Sequence, residues 1–149
     1  MKRMLLVMAI GVLLLALSAG TALAINIVQC RNVPCDGTNK ADRIFERIGN
    51  KKDDSIFAKD GPDVVNAADF KRDRDRVRGE GGNDRIRTDD GDARDTVNCG
   101  AGNDNIAVID PGDSAAANCQ TIRASFTGTA EEFASASKEV IIAKSKPAN

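Results

Sequence analysis

Histidine, tryptophan and tyrosine are absent from this 149-residue chain, and phenylalanine occurs only at Phe45, Phe57, Phe70, Phe126 and Phe133. Without histidine there is no Ser-His-Asp or Cys-His catalysis and no His-ligated zinc. So few large aromatics argue against a compact core built on rings and for a thin core of β-branched side chains. The same scarcity speaks against a sugar-cleaving cleft built on a carboxylate pair. No enzymatic activity is expected. An excess of charge is missing too. The net charge of -1 gives no general pull toward nucleic acid, and no nucleic-acid partner is expected.

One long apolar run is present, at the start. Lys2 and Arg3 precede Met4–Leu17, and Ala22, Leu23 and Ala24 form an A-x-A cleavage signal. The run is shorter than the ~20 residues of a membrane span, so residues 1–24 are expected to be a removable secretory signal. Nothing after it is apolar enough to enter a bilayer, and Gln29 before Cys30 is not a lipid-attachment context. The expected product is a secreted, extracellular single domain with no membrane contact after signal removal.

Asp-x-(Ile or Val) then recurs at Asp42/Ile44, Asp54/Ile56, Asp63/Val65, Asp75/Val77, Asp84/Ile86, Asp95/Val97 and Asp104/Ile106. Steps between successive aspartates are 12, 9, 12, 9, 11 and 9 residues, which pair into units of 21, 21 and 20. A regular period with one fixed carboxylate and one fixed apolar position points to short strands stacked in a solenoid. Hairpins would explain single segments but not the alternating spacing. The expected fold is all-β, a β-solenoid with two parallel sheets. One sheet carries Ile44, Val65, Ile86 and Ile106, the other Ile56, Val77, Val97 and Ala115. Gly, Asn and Asp fill the turns between them.

All four cysteines, Cys30, Cys35, Cys99 and Cys119, follow the signal, so two disulfides are expected in an oxidising compartment. Sequence alone permits three pairings. The solenoid selects one. Cys99 and Cys119 are 20 residues apart, one repeat, and strands about 4.8 Å apart suit disulfide geometry. Closing that loop stabilises by roughly 3 kcal/mol in the chain-entropy model. Cys30 and Cys35 then pair at the other end. The expected organisation is a signal at 1–24, a Cys-bearing cap at 25–36, β-roll repeats at 37–122 and a flexible tail at 123–149. That tail is expected to be disordered or partly helical, with a short helix over 131–138 or a strand over 139–143.

Two half-repeats resemble the nonapeptide G-G-x-G-x-D-x-U-x of repeats-in-toxin (hemolysin-type) calcium-binding proteins. Gly79, Gly82, Asp84 and Ile86 fill its informative positions in the first, beside Gly81 and with Glu80 replacing the second glycine. Gly100, Gly102, Asp104 and Ile106 fill them in the second, with Cys99 replacing the first glycine. Gly61, Asp63 and Val65 are kept in an earlier turn, and Gly37, Asp42 and Ile44 in the first. The resemblance covers roughly residues 37–116. It implies a right-handed parallel β-roll of about three to four coils, without the enzymatic or pore-forming domain that often accompanies such repeats.

Hard-cation chemistry gives the same ligand. Ca2+ takes about six to eight oxygens, which Asp carboxylates and the carbonyls of tight glycine turns supply. Two sites are expected, one between the turns ending at Asp63 and Asp84, and a preferred one between those ending at Asp84 and Asp104. The candidate ligand set is Gly61, Asp63, Gly79, Gly81, Gly82, Asp84, Gly100, Gly102 and Asp104. On the opposite edge, Arg72, Arg74, Arg76 and Arg94 are expected to pair with carboxylates in place of an ion, with Asp89, Asp90 and Asp92 as a weak local exception. The expected function is a monomeric, secreted calcium-binding structural protein. The alternative is a metal-independent extracellular adhesion module whose charged edge meets a cell-surface polymer or protein partner.

Overall fold

The computed structural model describes residues 25–30, 34–46, 53–69, 73–92 and 94–147. The expected signal at 1–24 lies outside them, as does Arg72. The strands are β1 (Asn26–Cys30), β2 (Cys35–Asp36), β3 (Asp42–Glu46), β4 (Ser55–Phe57), β5 (Val64–Asn66) and β6 (Arg76–Arg78). They continue as β7 (Arg85–Arg87), β8 (Thr96–Asn98), β9 (Ile106–Ile109), β10 (Ser114–Ala115), β11 (Gln120–Phe126) and β12 (Ser145–Pro147). Two short helices, α1 (Ala130–Ser135) and α2 (Lys138–Lys144), separate the last two strands.

The six odd-numbered strands and β12 form a seven-stranded sheet in the order β1-β3-β5-β7-β9-β11-β12, and the other five even-numbered strands form a second sheet, β10-β8-β6-β4-β2. The pairings are parallel except β11 with β12. The chain therefore alternates between sheets, and neighbouring strands in a sheet lie about one sequence repeat apart. The expected all-β, parallel architecture is present.

In β4, β6, β7 and β8 only the central residue of three is buried, its neighbours pointing to the opposite face. Ile44, Val65, Ile86 and Ala107 pair in register in one sheet. Cys35, Ile56, Val77, Val97 and Ala115 do so in the other. Both rows belong to one thin cluster completed by Cys30, Ala58, Ala67, Cys99 and Ile109. The expected disulfides Cys30–Cys35 and Cys99–Cys119 are formed, each with a Cα separation of 5.3 Å.

The register differs from expectation at one point. Ile86 faces Ala107, and Ile106 faces Arg85 instead. In the preceding turn, Gly81 bridges Ala101, an offset of 20 residues, whereas Asp84 N donates to Asn105 Oδ1, an offset of 21. Asp104 is the extra residue, and it is pushed out to solvent. A one-residue slip flips every side chain of a strand to the other face. Ile106 therefore leaves the thin core and joins Val108 on the outside of the seven-stranded sheet.

That outward apolar face explains a second difference. Residues 123–147 pack rather than trail as a mobile extension. Phe126, Phe133, Ala136 and Ile141 cover Ile106 and Val108 in a second buried cluster, with Phe126 and Phe133 edge to face at 5.4 Å. Thr129 and Glu132 form a reciprocal capping box that starts α1. Helix occupies both 130–135 and 138–144, including the stretch for which a strand was the alternative. Among the described residues, no helix is long and apolar enough to cross a membrane.

Candidate metal centre

Asp63 and Asp84 each cap the backbone of the repeat before them. Asp63 Oδ1 accepts from Asp42 N at 2.8 Å, and Asp84 Oδ1 from Asp63 N at 3.0 Å. Asn105 Oδ1 accepts from Asp84 N at 2.7 Å. Such capping requires a short side chain with an acceptor oxygen, and it works without any ion.

The second polar atom of each side chain separates these four positions. Asp42 Oδ2 accepts from the Thr38 backbone N–H and from its hydroxyl. Asn105 Nδ2 donates to the Cys99 carbonyl at 3.3 Å. Among the described residues, Asp63 Oδ2 and Asp84 Oδ2 have no hydrogen-bond partner, although the two residues are only 1% and 0% exposed. Burial pushes the Asp63 carboxyl up to about 7 and Asp84 up to about 6, each partly offset by the backbone N–H it caps.

Glycines close the turns for a steric reason. A Cβ on Gly82, at φ +135°, would run into the Gly61 carbonyl oxygen, and one on Gly102 into the Gly82 carbonyl oxygen. At Gly79 a Cβ would meet both Asp84 Oδ2 and Cys99 O, so two acceptor oxygens converge on the space beside that glycine.

Gly61, Asp63, Gly79, Gly81, Gly82, Asp84, Gly100 and Gly102 thus lie in successive turns along one edge, aligned by the Asp60–Gly81 and Gly81–Ala101 bridges. Asp104 does not join them. It is exposed, with Oδ1 3.7 Å from Lys138 Nζ, and neutral Asn105 holds its rung. The expected site between Asp84 and Asp104 therefore lacks its second carboxylate, and the Asp63–Asp84 pair is the one the fold assembles. Two adjacent Asx residues, Asp104 and Asn105, made either a fit to the spacing, and only the register distinguishes them.

The opposite edge carries a matching ladder. Asp75 Oδ1 accepts from Asp54 N at 2.8 Å, Asp95 Oδ1 from Asp75 N at 2.8 Å, and Asp113 Oδ1 from Asp95 N at 3.1 Å. Carboxylate oxygens of Asp90, Asp92 and Asp95 lie within 4.8 Å of one another, as do those of Glu46, Asp73 and Asp75. Among the described residues, both Asp92 oxygens and Asp95 Oδ2 are buried without a hydrogen-bond partner. Burial raises Asp90 to about 7 and Asp95 to about 8. Of the expected local trio, Asp90 and Asp92 meet. Asp89 instead pairs with Arg87 Nε at 2.6 Å and accepts from Phe126 N.

For the described arginines of the long-turn edge, the expected pairing is not found; Arg72 lies outside the described residues. Arg74, Arg76 and Arg94 are exposed, and the ion pairs among the described residues are Lys59–Asp36, Arg87–Asp89, Lys138–Asp104 and Lys144–Glu132. The expected ligand set also left out Glu46, Asp73, Asp75, Asp95 and Asn105, although Asp75 and Asp95 belong to the recurring Asp-x-(Ile or Val) pattern. The D-x-D pairs Asp73/Asp75 and Asp90/Asp92 in the long turns were the available signal.

No protein-family model, curated protein or solved structure matches this chain. The likeness to repeats-in-toxin turns therefore rests on the turn residues alone. Chemically, both edges offer oxygen donors only, with no imidazole and no free thiol. Such a donor set suits a hard divalent cation and disfavours the softer transition metals.

Proposed function

We propose that the protein is a secreted calcium-binding structural protein, a right-handed parallel β-roll of about three to four coils with Ca2+ between its glycine/aspartate turns. The observation that carries this reading is the contrast along one ladder. At its ends, Thr38 supplies a donor to Asp42 and an amide replaces the carboxylate at Asn105. In the middle, Asp63 and Asp84 keep buried oxygens with no donor among the described residues. A buried, unpaired carboxylate is strongly unfavourable unless something positive meets it. A cation there does what the Asn105 amide N–H does one rung further on. Calcium is then a structural ligand that lets the chain fold after export, and no catalysis is involved.

Oxidised protein stripped of divalent ions on a chelating resin, then titrated with CaCl2 and followed by circular dichroism and melting, tests the reading. With a dissociation constant near 10⁻⁴ M, as in extracellular modules, ~1 mM calcium stabilises by about 1.4 kcal/mol per site. An Asp63→Asn/Asp84→Asn variant places amide donors at the two orphan positions. It is expected to fold without calcium and to lose the response of this edge, while Asp104→Ala keeps it. A melting midpoint that ignores several millimolar calcium would favour the metal-independent adhesion module.

A further inference from the structure

Glu46 ends β3, and Asp73 and Asp75 lie in the turn before β6, so carboxyls distant in sequence meet at the long-turn edge. All three are buried, Asp73 to 2% exposure. Backbone groups take one oxygen from two of them. Glu46 Oε2 accepts from Asp69 N at 3.0 Å and Asp75 Oδ1 from Asp54 N at 2.8 Å. These bonds fix the two side chains in place. Among the described residues, both oxygens of Asp73 are buried with no hydrogen-bond partner, while burial, together with a side-chain hydrogen bond shared with Asp75, pushes the Glu46 carboxyl up to about 10. No lysine or arginine among the described residues forms an ion pair with any of the three.

Removing a carboxylate from water without a donor or counter-charge is strongly unfavourable, and three together repel one another as well. Their oxygens lie within 4.8 Å of one another, the span across an ion with metal–oxygen distances of about 2.3–2.6 Å. We propose that Glu46, Asp73 and Asp75 form a divalent-cation site of the hard, oxygen-liganded class that accepts calcium, on the edge opposite the glycine-rich turns. None of its ligands belongs to a nonapeptide turn, so it stands or falls separately from the Asp63–Asp84 reading. Its place between β3 and the turn before β6 would tie the two sheets together at that edge.

Native mass spectrometry of the oxidised protein in CaCl2 counts bound ions, and melting with and without chelator gives an independent readout. Asp73→Asn is expected to bind one calcium fewer than the parent, whereas Asp84→Asn retains that ion. In chelator, Asp73→Asn is expected to melt above the parent, because a buried unpaired charge has been removed. In CaCl2 it is expected to melt below. A carboxylate with only a structural role gives no such crossover. If Asp73→Asn fails to fold, Glu46→Gln gives the same count. An unchanged ion number in the variant that folds overturns the proposal. Loss of an ion in Asp84→Asn alone leaves the glycine-turn reading standing without this site, and loss in Asp73→Asn alone does the reverse. A parent that binds no calcium overturns both.

Discussion

Most proteins lose stability in acid because their paired carboxylates must be protonated. This chain is expected to do the opposite once divalent ions are removed. Burial raises Asp84 from 3.8 to about 6, Asp63 and Asp90 to about 7, and Asp95 to about 8. A carboxyl raised in the fold contributes its full stability below the unfolded value and loses it as pH rises through the folded value. For Asp84, ionisation in the fold costs about 3 kcal/mol more than in the open chain, at about 1.4 kcal/mol per tenfold change. Neighbouring carboxyls on one ladder couple, so their costs do not simply add. Even so, a small domain has only about 5–15 kcal/mol of net stability, and a few such ionisations consume much of it. The assay is a set of circular dichroism melts of oxidised, ion-stripped protein across that range. The midpoint is expected to fall from about pH 5 to about pH 8 without calcium, and to hold level with it, because the cation favours the ionised form. An ion-free midpoint that stays flat or climbs across this window would refute the reasoning.

Three substitutions probe other parts of the structure. Asn105→Asp removes the donor to the Cys99 carbonyl and adds a third unpaired carboxylate to the ladder. It is expected to destabilise by about 1–3 kcal/mol in chelator and to recover in calcium, and equal melting under both conditions would contradict the ladder account. Gly82→Ala drives a Cβ at φ +135° into the Gly61 carbonyl oxygen. A loss of about 1–3 kcal/mol in denaturant melts is expected, and a neutral result would mean the turns are not stacked this closely. Phe133→Ala opens the second cluster beneath α1. Its expected cost is about 3–5 kcal/mol, and a change near zero would show that the tail is not part of the cooperative unit.

The parallel sheets and both disulfides were legible before any coordinates. Inward residues such as Ile44, Val65 and Ile86 recur at a period that must stack, and Cys99 and Cys119 sit one period apart. The slip at Asp104 was not legible. Ile106/Val108 and Ala107/Ile109 are both acceptable inward pairs, and the choice rests on which Asx caps Asp84. The packed tail was hidden for the same reason, since Phe126, Phe133 and Ile141 have a surface to cover only once Ile106 and Val108 face outward.

The sequence by itself determined the period, the thin β-branched core, the turn positions and the cysteine pairing. These follow from short-range spacing along one dimension. The tertiary structure decided which carboxylate oxygens are left without a donor. That depends on what each folded turn presents: a threonine at Asp42, an amide at Asn105 and, among the described residues, no donor at Asp63 Oδ2, Asp84 Oδ2 or Asp73. The capping contacts join residues 21 apart while the deciding second donor comes from within the turn, so an aspartate that only caps and one that also calls for a cation look alike until the strands are paired.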